Sequence, residues 1–242
     1  MVSPQHVVTA AHCITADLAV PFEIDLRGKT YTVNEVRPIS CWTTGPDAED
    51  INKRFPSDVA VMVLKDPIPN AKEGVDYVKI WDPKEQGKDM EGEVFTLVGW
   101  GQSGVVSSGN YDTSMSTMHR AENKVDKIKD NMLVYTMQRP ADGGQDLEGI
   151  GGSGDSGGPA LIKGKDGNWH IGGVKSNGAG GPEWGSTNEY TRLGGIAYEW
   201  LMKNIAFDKT TKKPVPWVKI AMEKCETVFK PSTADGGDGG DN

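Results

Sequence analysis

Cysteine is scarce: 242 residues hold only Cys13, Cys41 and Cys225, too few for a disulfide-built scaffold. An odd count leaves at least one thiol unpaired within the chain; a Cys13–Cys41 bridge is conceivable, but the sequence does not assign it. Excess positive charge is missing as well. The net charge of -8 argues against a nucleic-acid partner and speaks to solubility rather than to fold. No stretch reaches the apolar length needed to span a bilayer, so no membrane partner is expected. The chain does not open on a charged segment followed by an apolar one, and no secretory signal is visible in it.

Glycine and proline are plentiful, at 31 and 14 residues, which with 36% hydrophobic residues describes a soluble, turn-rich chain long enough for two packed barrels. Strand signals dominate. Val59–Leu64 and Val94–Val98 are continuous apolar runs of buried-strand length, and Leu133–Met137 and His170–Val174 read similarly. Near the end the period changes: Ile196, Trp200, Leu201 and Ile205 follow helical spacing after Gly194 and Gly195. Further on, Trp217, Ala221, Cys225 and Val228 can share one face of an appended helix over 208–230. The acidic, Gly-rich tail 231–242 is expected to be disordered. Its Asp-Gly repeats lack the apolar position that calcium-binding repeats need, so no metal and no cofactor is expected.

The chemistry-bearing segment is Gly152-Ser153-Gly154-Asp155-Ser156-Gly157-Gly158-Pro159. Ser156 is the candidate nucleophile, and the backbone N–H groups of Gly154 and Ser156 can converge on the oxygen of a tetrahedral intermediate. A serine hydroxyl needs a base to take its proton and a third group to orient that base. Both are supplied upstream, by His12 in Thr9-Ala10-Ala11-His12-Cys13 and by Asp58 in the segment entering Val59–Leu64. The same loop satisfies G-x-S-x-G, but the nucleophile elbow of α/β-hydrolases puts its Asp and His after the serine and a helix directly behind it. Here His12 and Asp58 precede Ser156, and Gly157-Gly158-Pro159 forbids that helix start. Singly, His12 or Asp58 would read as a core histidine or a capping aspartate; three matches in one order outweigh that reading.

In these motifs and their His, Asp, Ser order the chain resembles the trypsin/chymotrypsin-like serine peptidases, from about Val2 to about Phe207. Gly99-Trp100-Gly101 and Tyr190-Thr191-Arg192 match two further landmarks of that family. The resemblance implies an all-β fold of two six-stranded antiparallel Greek-key barrels, the first truncated at its N-terminus, with a C-terminal helix. The first barrel is expected over residues 1–80, and the second with its closing helix over 81–207. It implies His12 as general base, Asp58 as its orienter, Ser156 as nucleophile, and Gly154 and Ser156 as oxyanion donors. Ser176, Asn177 and Gly178 match the strand that pairs with substrate. Ile150 stands at the pocket floor and Asn188 at a wall position usually held by glycine. That floor implies small or medium apolar residues before the scissile bond, with Arg and Lys poor, although an alignment shift of two would put Glu148 there instead.

The chain departs from the family pattern in two respects. One family disulfide would need cysteines near Gly152 and Gly181, and another falls on Phe95 and Ile162, an apolar pair able to pack. The segment before His12 also starts inside the family's strand, without the activation site whose amine would pair with Asp155. A truncated form is therefore expected, inactive or nearly so when expressed from Met1. Two function classes follow. The first is a serine endopeptidase acting on protein or peptide substrates, extracellular by family resemblance and monomeric. The other is an inactive peptidase-like domain serving as a protein-binding module.

Overall fold

The computed structural model describes residues 1–14, 18–44, 55–106, 110–179, 183–208 and 210–217. Its first sheet contains β1 (His6–Thr9), β2 (Phe22–Leu26), β3 (Lys29–Pro38) and β4 (Ala60–Leu64) in the antiparallel order β1-β4-β3-β2. The apolar run of β4 is buried at four of its five positions because the strand lies between two neighbours and under the core. By contrast β2 alternates, turning Glu23 and Asp25 to water along the edge of the sheet, where charge discourages further pairing.

The rest of the fold is a larger sheet. Its strands are β5 (Lys79–Ile80), β6 (Val94–Gly99), β9 (His119–Lys124), β10 (Lys127–Lys129), β11 (Met132–Thr136), β12 (Pro159–Lys163), β13 (Trp169–Ala179) and β14 (Thr187–Arg192). A separate hairpin joins β7 (Ser103–Val105) to β8 (Asn110–Asp112). Six antiparallel strands run in the order β9-β6-β12-β13-β14-β11, with β10 on the outer edge of β11 and the short β5 parallel to β13. The end strand β9 lies against β11, so the sheet curls toward closure. This is the all-β, two-barrel architecture expected. Among the described residues three short helices complete it: α1 (Ser40–Thr44), α2 (Pro83–Gln86) and α3 (Ile196–Asn204).

Two apolar clusters hold these layers. One joins Val8, Ile39, Val59 and Val61 of the first half to Ile171, Leu193, Trp200 and Leu201, so the closing helix α3 seals the core of the first sheet. The other centres on Phe95, Tyr135 and Tyr190, whose ring centroids lie 5.1 to 5.6 Å apart. Edge-to-face contacts of this kind add to the area they bury. Ile162 belongs to the same cluster, and both it and Phe95 are 1% exposed. Apolar packing therefore occupies the position at which the family carries a bridge.

Cys13 is free and Cys41 is in a disulfide, so the conceivable Cys13–Cys41 pairing is not made. Cys225 and Gly181 lie outside the described residues, as do the tail 231–242 and most of the expected appended helix. The described part of that last segment pairs back on the chain, with Phe207 bridged to Pro214 and Val215 N–H donating to Ala206 O at 3.1 Å.

His6 gives this half a pH-dependent stability. Its ring is wholly buried beside Phe207, Nδ1 lies 2.7 Å from Ser3 Oγ, and Nε2 has no partner among the described residues. Burial, helped by the charge of Arg37, lowers its pKa to about 4. Between that value and the ordinary value near 6.5, the unfolded chain binds a proton that the folded chain refuses. Stability should therefore fall as pH drops through this window, by about 3 kcal/mol at full titration. Calorimetric melting from pH 7 to pH 4 should show this slope, and His6→Asn should flatten it. An equal slope in the variant would assign the loss to other groups.

Candidate active site

His12 is the middle residue of a single 3₁₀ turn, Ala11–Cys13, that follows β1, and Asp58 follows the turn Phe55–Ser57 that leads into β4. Pairing of β1 with β4 aligns Thr9 with Ala60 and brings these two turns together. The Asp58 carboxylate is wholly buried and accepts three hydrogen bonds. His12 donates its backbone N–H to Oδ1 at 2.8 Å, and its Nδ1 lies 2.6 Å from Oδ2. Ser176 Oγ, from β13, donates to the same Oδ2 at 2.5 Å. The hydrogen bond that His12 makes to the Asp58 carboxylate, with a further one to Cys13, holds the His12 pKa above its ordinary value despite partial burial. The Asp58 turn is also pinned from the second sheet: Thr191 Oγ1 and Asn131 Nδ2 donate to Phe55 O and Pro56 O at 2.9 and 2.8 Å. That bond gives Thr191, in the Tyr190-Thr191-Arg192 landmark, a physical reason.

The Ser156 loop hangs from β13. Gly157 N–H donates to Lys175 O, and Lys175 N–H donates to Gly158 O, both at 2.8 Å. Asp155 turns inward, its carboxylate accepting from Gly101 N–H and Gly152 N–H at 2.8 Å each. A Cβ on Gly99 would lie 2.0 Å from that carboxylate, which accounts for the glycines flanking Trp100. Asp155 N–H and Gly158 N–H are used within the turn, while those of Gly154 and Ser156 have no acceptor among the described residues. Two open donors therefore flank the exposed Ser156.

The next residue, Gly157, has φ +76°, and a Cβ there would meet Thr9 Oγ1 at 2.3 Å and Cys13 Sγ at 3.4 Å. The serine loop thus abuts the turn that carries His12, although no hydrogen bond joins Ser156 to His12 among the described residues. Such bonds are often loose before substrate arrives. Gly157→Ala should lower stability by about 1–3 kcal/mol through backbone strain and this contact. A melting temperature equal to the parent's would show that the loop tolerates a side chain there.

Beside Ser156 opens a cavity of about 730 Å³. Ile150, Ser176, Asn177, Gly178 and Asn188 all line it, as the resemblance implies. Asn188 is 4% exposed and crowds Gly178, whose Cβ would meet its Oδ1 at 2.3 Å. Glu148 borders the cavity too, but its carboxylate is taken by Asn123 Nδ2, Gln138 N–H and Gln145 N–H at 2.7 to 2.9 Å. The sequence does not single out two features: the Ser176–Asp58 bond, and Lys175, which also lines the cavity. Strand alternation on either side of Ser176 was the available signal for the second.

A two-barrel β protein in which a half-buried histidine, held by a buried aspartate, lies on a turn that abuts an exposed serine loop has the architecture of a serine peptidase. The chain belongs to the trypsin family, whose model matches residues 1–198. No curated protein matches it. Among the described residues, no helix is long and apolar enough to cross a membrane, and no group of three or more His, Cys, Asp or Glu could hold a metal ion.

Proposed function

We propose that this chain is a serine endopeptidase that hydrolyses peptide bonds through an acyl-enzyme. In this reading Ser156 Oγ attacks the scissile carbonyl while His12 takes its proton, and the Asp58 carboxylate steadies the imidazolium that forms. The negative oxygen of the tetrahedral intermediate is received by the N–H groups of Gly154 and Ser156. His12 then gives its proton to the leaving amine, and a water repeats the sequence to release the acid. Substrate lies along Ser176, Asn177 and Gly178, with its side chain in the pocket of Ile150 and Asn188. The site falls at a seam between a first barrel (1–80) and a second (81–207), a common location for binding sites. The Cys41 disulfide supports an oxidising, extracellular setting.

The observation that carries this reading is the pair of open N–H donors on the serine turn, beside an Asp155 carboxylate held by the N–H groups of Gly101 and Gly152. A protein-binding module gives no reason to keep those donors open beside a histidine held by a buried aspartate. The test is a rapid-mixing assay with a chromogenic ester. On this reading a burst of released alcohol stoichiometric with protein, followed by slower turnover, is expected, and it would overturn the expectation that the chain expressed from Met1 is inactive. Absence of both burst and turnover in a folded preparation would favour the binding-module reading.

A further inference from the structure

Lys175 is only 5% exposed, yet it lines the cavity beside Ser156. It stands opposite Tyr190 in the β13–β14 register, with its Nζ 5.9 Å from the centroid of that ring. A Cβ on Gly151 would lie 2.8 Å from Lys175 Cε, so the Lys175 side chain runs close against the facing loop and would have to shift if that residue carried a side chain. The ammonium donates to Asn177 O, its one acceptor among the described residues. An ammonium has three donors, so hydrogen-bonding capacity remains on the cavity side.

No carboxylate forms an ion pair with Lys175 among the described residues, although three contribute charge nearby: Asp155, Glu189 and Asp58. Asp155 is held by two backbone N–H groups, and Asp58 by His12 and Ser176. Glu189 lies on the opposite face of β14 from Asn188 and Tyr190. The remaining titratable neighbours, Tyr135 and Tyr190, are neutral, since burial pushes both above the ordinary tyrosine range. A cation taken out of water without a partner is costly, and a ligand carboxylate would relieve that cost.

Resting on the peptidase reading above, we propose that Lys175 makes this pocket select substrates with Glu or Asp before the scissile bond. The Ile150 floor contacts the stem of such a side chain, and Asn188 closes the pocket at a depth suited to a short acid. Glu148 cannot reverse the preference, because its carboxylate is already occupied. Burial also lowers the Lys175 pKa to about 8, so the preference should fade as pH rises through that value and the ammonium loses its charge.

Four peptides differing only in the residue before the scissile bond (Glu, Gln, Leu or Lys) test the proposal on wild type and Lys175→Met. The expected kcat/KM favours Glu over its isostere Gln by about tenfold or more. Lys175→Met should abolish that ratio and raise the relative rate for Leu. In wild type the Glu:Gln ratio should decline through pH 8, which requires no variant to fold. Equilibrium binding of the same peptides to catalytically blocked Ser156→Ala reads the pocket without chemistry. A Glu preference in binding without cleavage by wild type keeps this inference and removes the peptidase reading; cleavage without a Glu preference does the reverse. Glu no better than Gln in both measurements overturns it. So does an equal loss for all four peptides in Lys175→Met, which would make Lys175 a support of the serine loop.

Discussion

Ser156→Ala and His12→Ala should each lower kcat by roughly four to six orders of magnitude and leave KM nearly unchanged. Neither residue is needed for substrate to lie along β13 and fill the pocket, so ground-state binding survives. Both act on the same proton transfer, and the loss of either stops it. The double variant should therefore be scarcely slower than either single one, a non-additivity that distinguishes a catalytic unit from two independent contacts. The measurement is steady-state kinetics on one peptide with all three variants. Losses that multiply would mean that the residues act separately, and a change confined to KM would assign them to binding.

Asp58→Asn should cost about ten-thousandfold in kcat. The carboxylate accepts from His12 twice and from Ser176 once, and an amide can offer only one of its two polar atoms as an acceptor. The imidazole then loses the partner that selects its tautomer and stabilises its positive charge. A second readout follows from the raised pKa of His12. The wild-type rate should rise with pH as His12 loses its proton, because only neutral imidazole can act as a base. Without the Asp58 charge that rise should move to lower pH. A variant retaining the wild-type profile and rate would remove Asp58 from the mechanism.

Much of the fold was legible because the runs behind β4 and β11 are apolar enough to be buried whatever lies around them; the run behind β6 alternates instead, burying Phe95 and Leu97 and leaving Val94 exposed. The helical period of Trp200 and Leu201 likewise anticipates α3. His12, Asp58 and Ser156 were legible for a different reason: each sits in a short motif whose neighbours are fixed by local geometry. Gly157 can approach Thr9 only without a Cβ, and Asp155 fits only beside Gly99 and Gly101. That the Glu148 carboxylate is already occupied was not legible, because its partners Asn123, on β9, and Gln138, just after β11, leave no mark on the pattern around it. Lys175 was hidden differently. A lysine between valine and serine reads as a solvated strand position, and only the β13–β14 register turns it onto Tyr190 and into the cavity. The proposed pocket chemistry depends on this pairing, whereas the proposed catalytic residues depend on their loops.

The most direct measurement is covalent labelling of the folded protein with a fluorophosphonate, followed by peptide mapping to locate the modified residue. Such a probe reacts with a serine whose proton is taken by a neighbouring base and whose developing oxyanion is stabilised. Modification of Ser156 alone, lost in both His12→Ala and Ser156→Ala, is the expected result. Modification of a different serine, or none in a preparation that melts cooperatively, would contradict it.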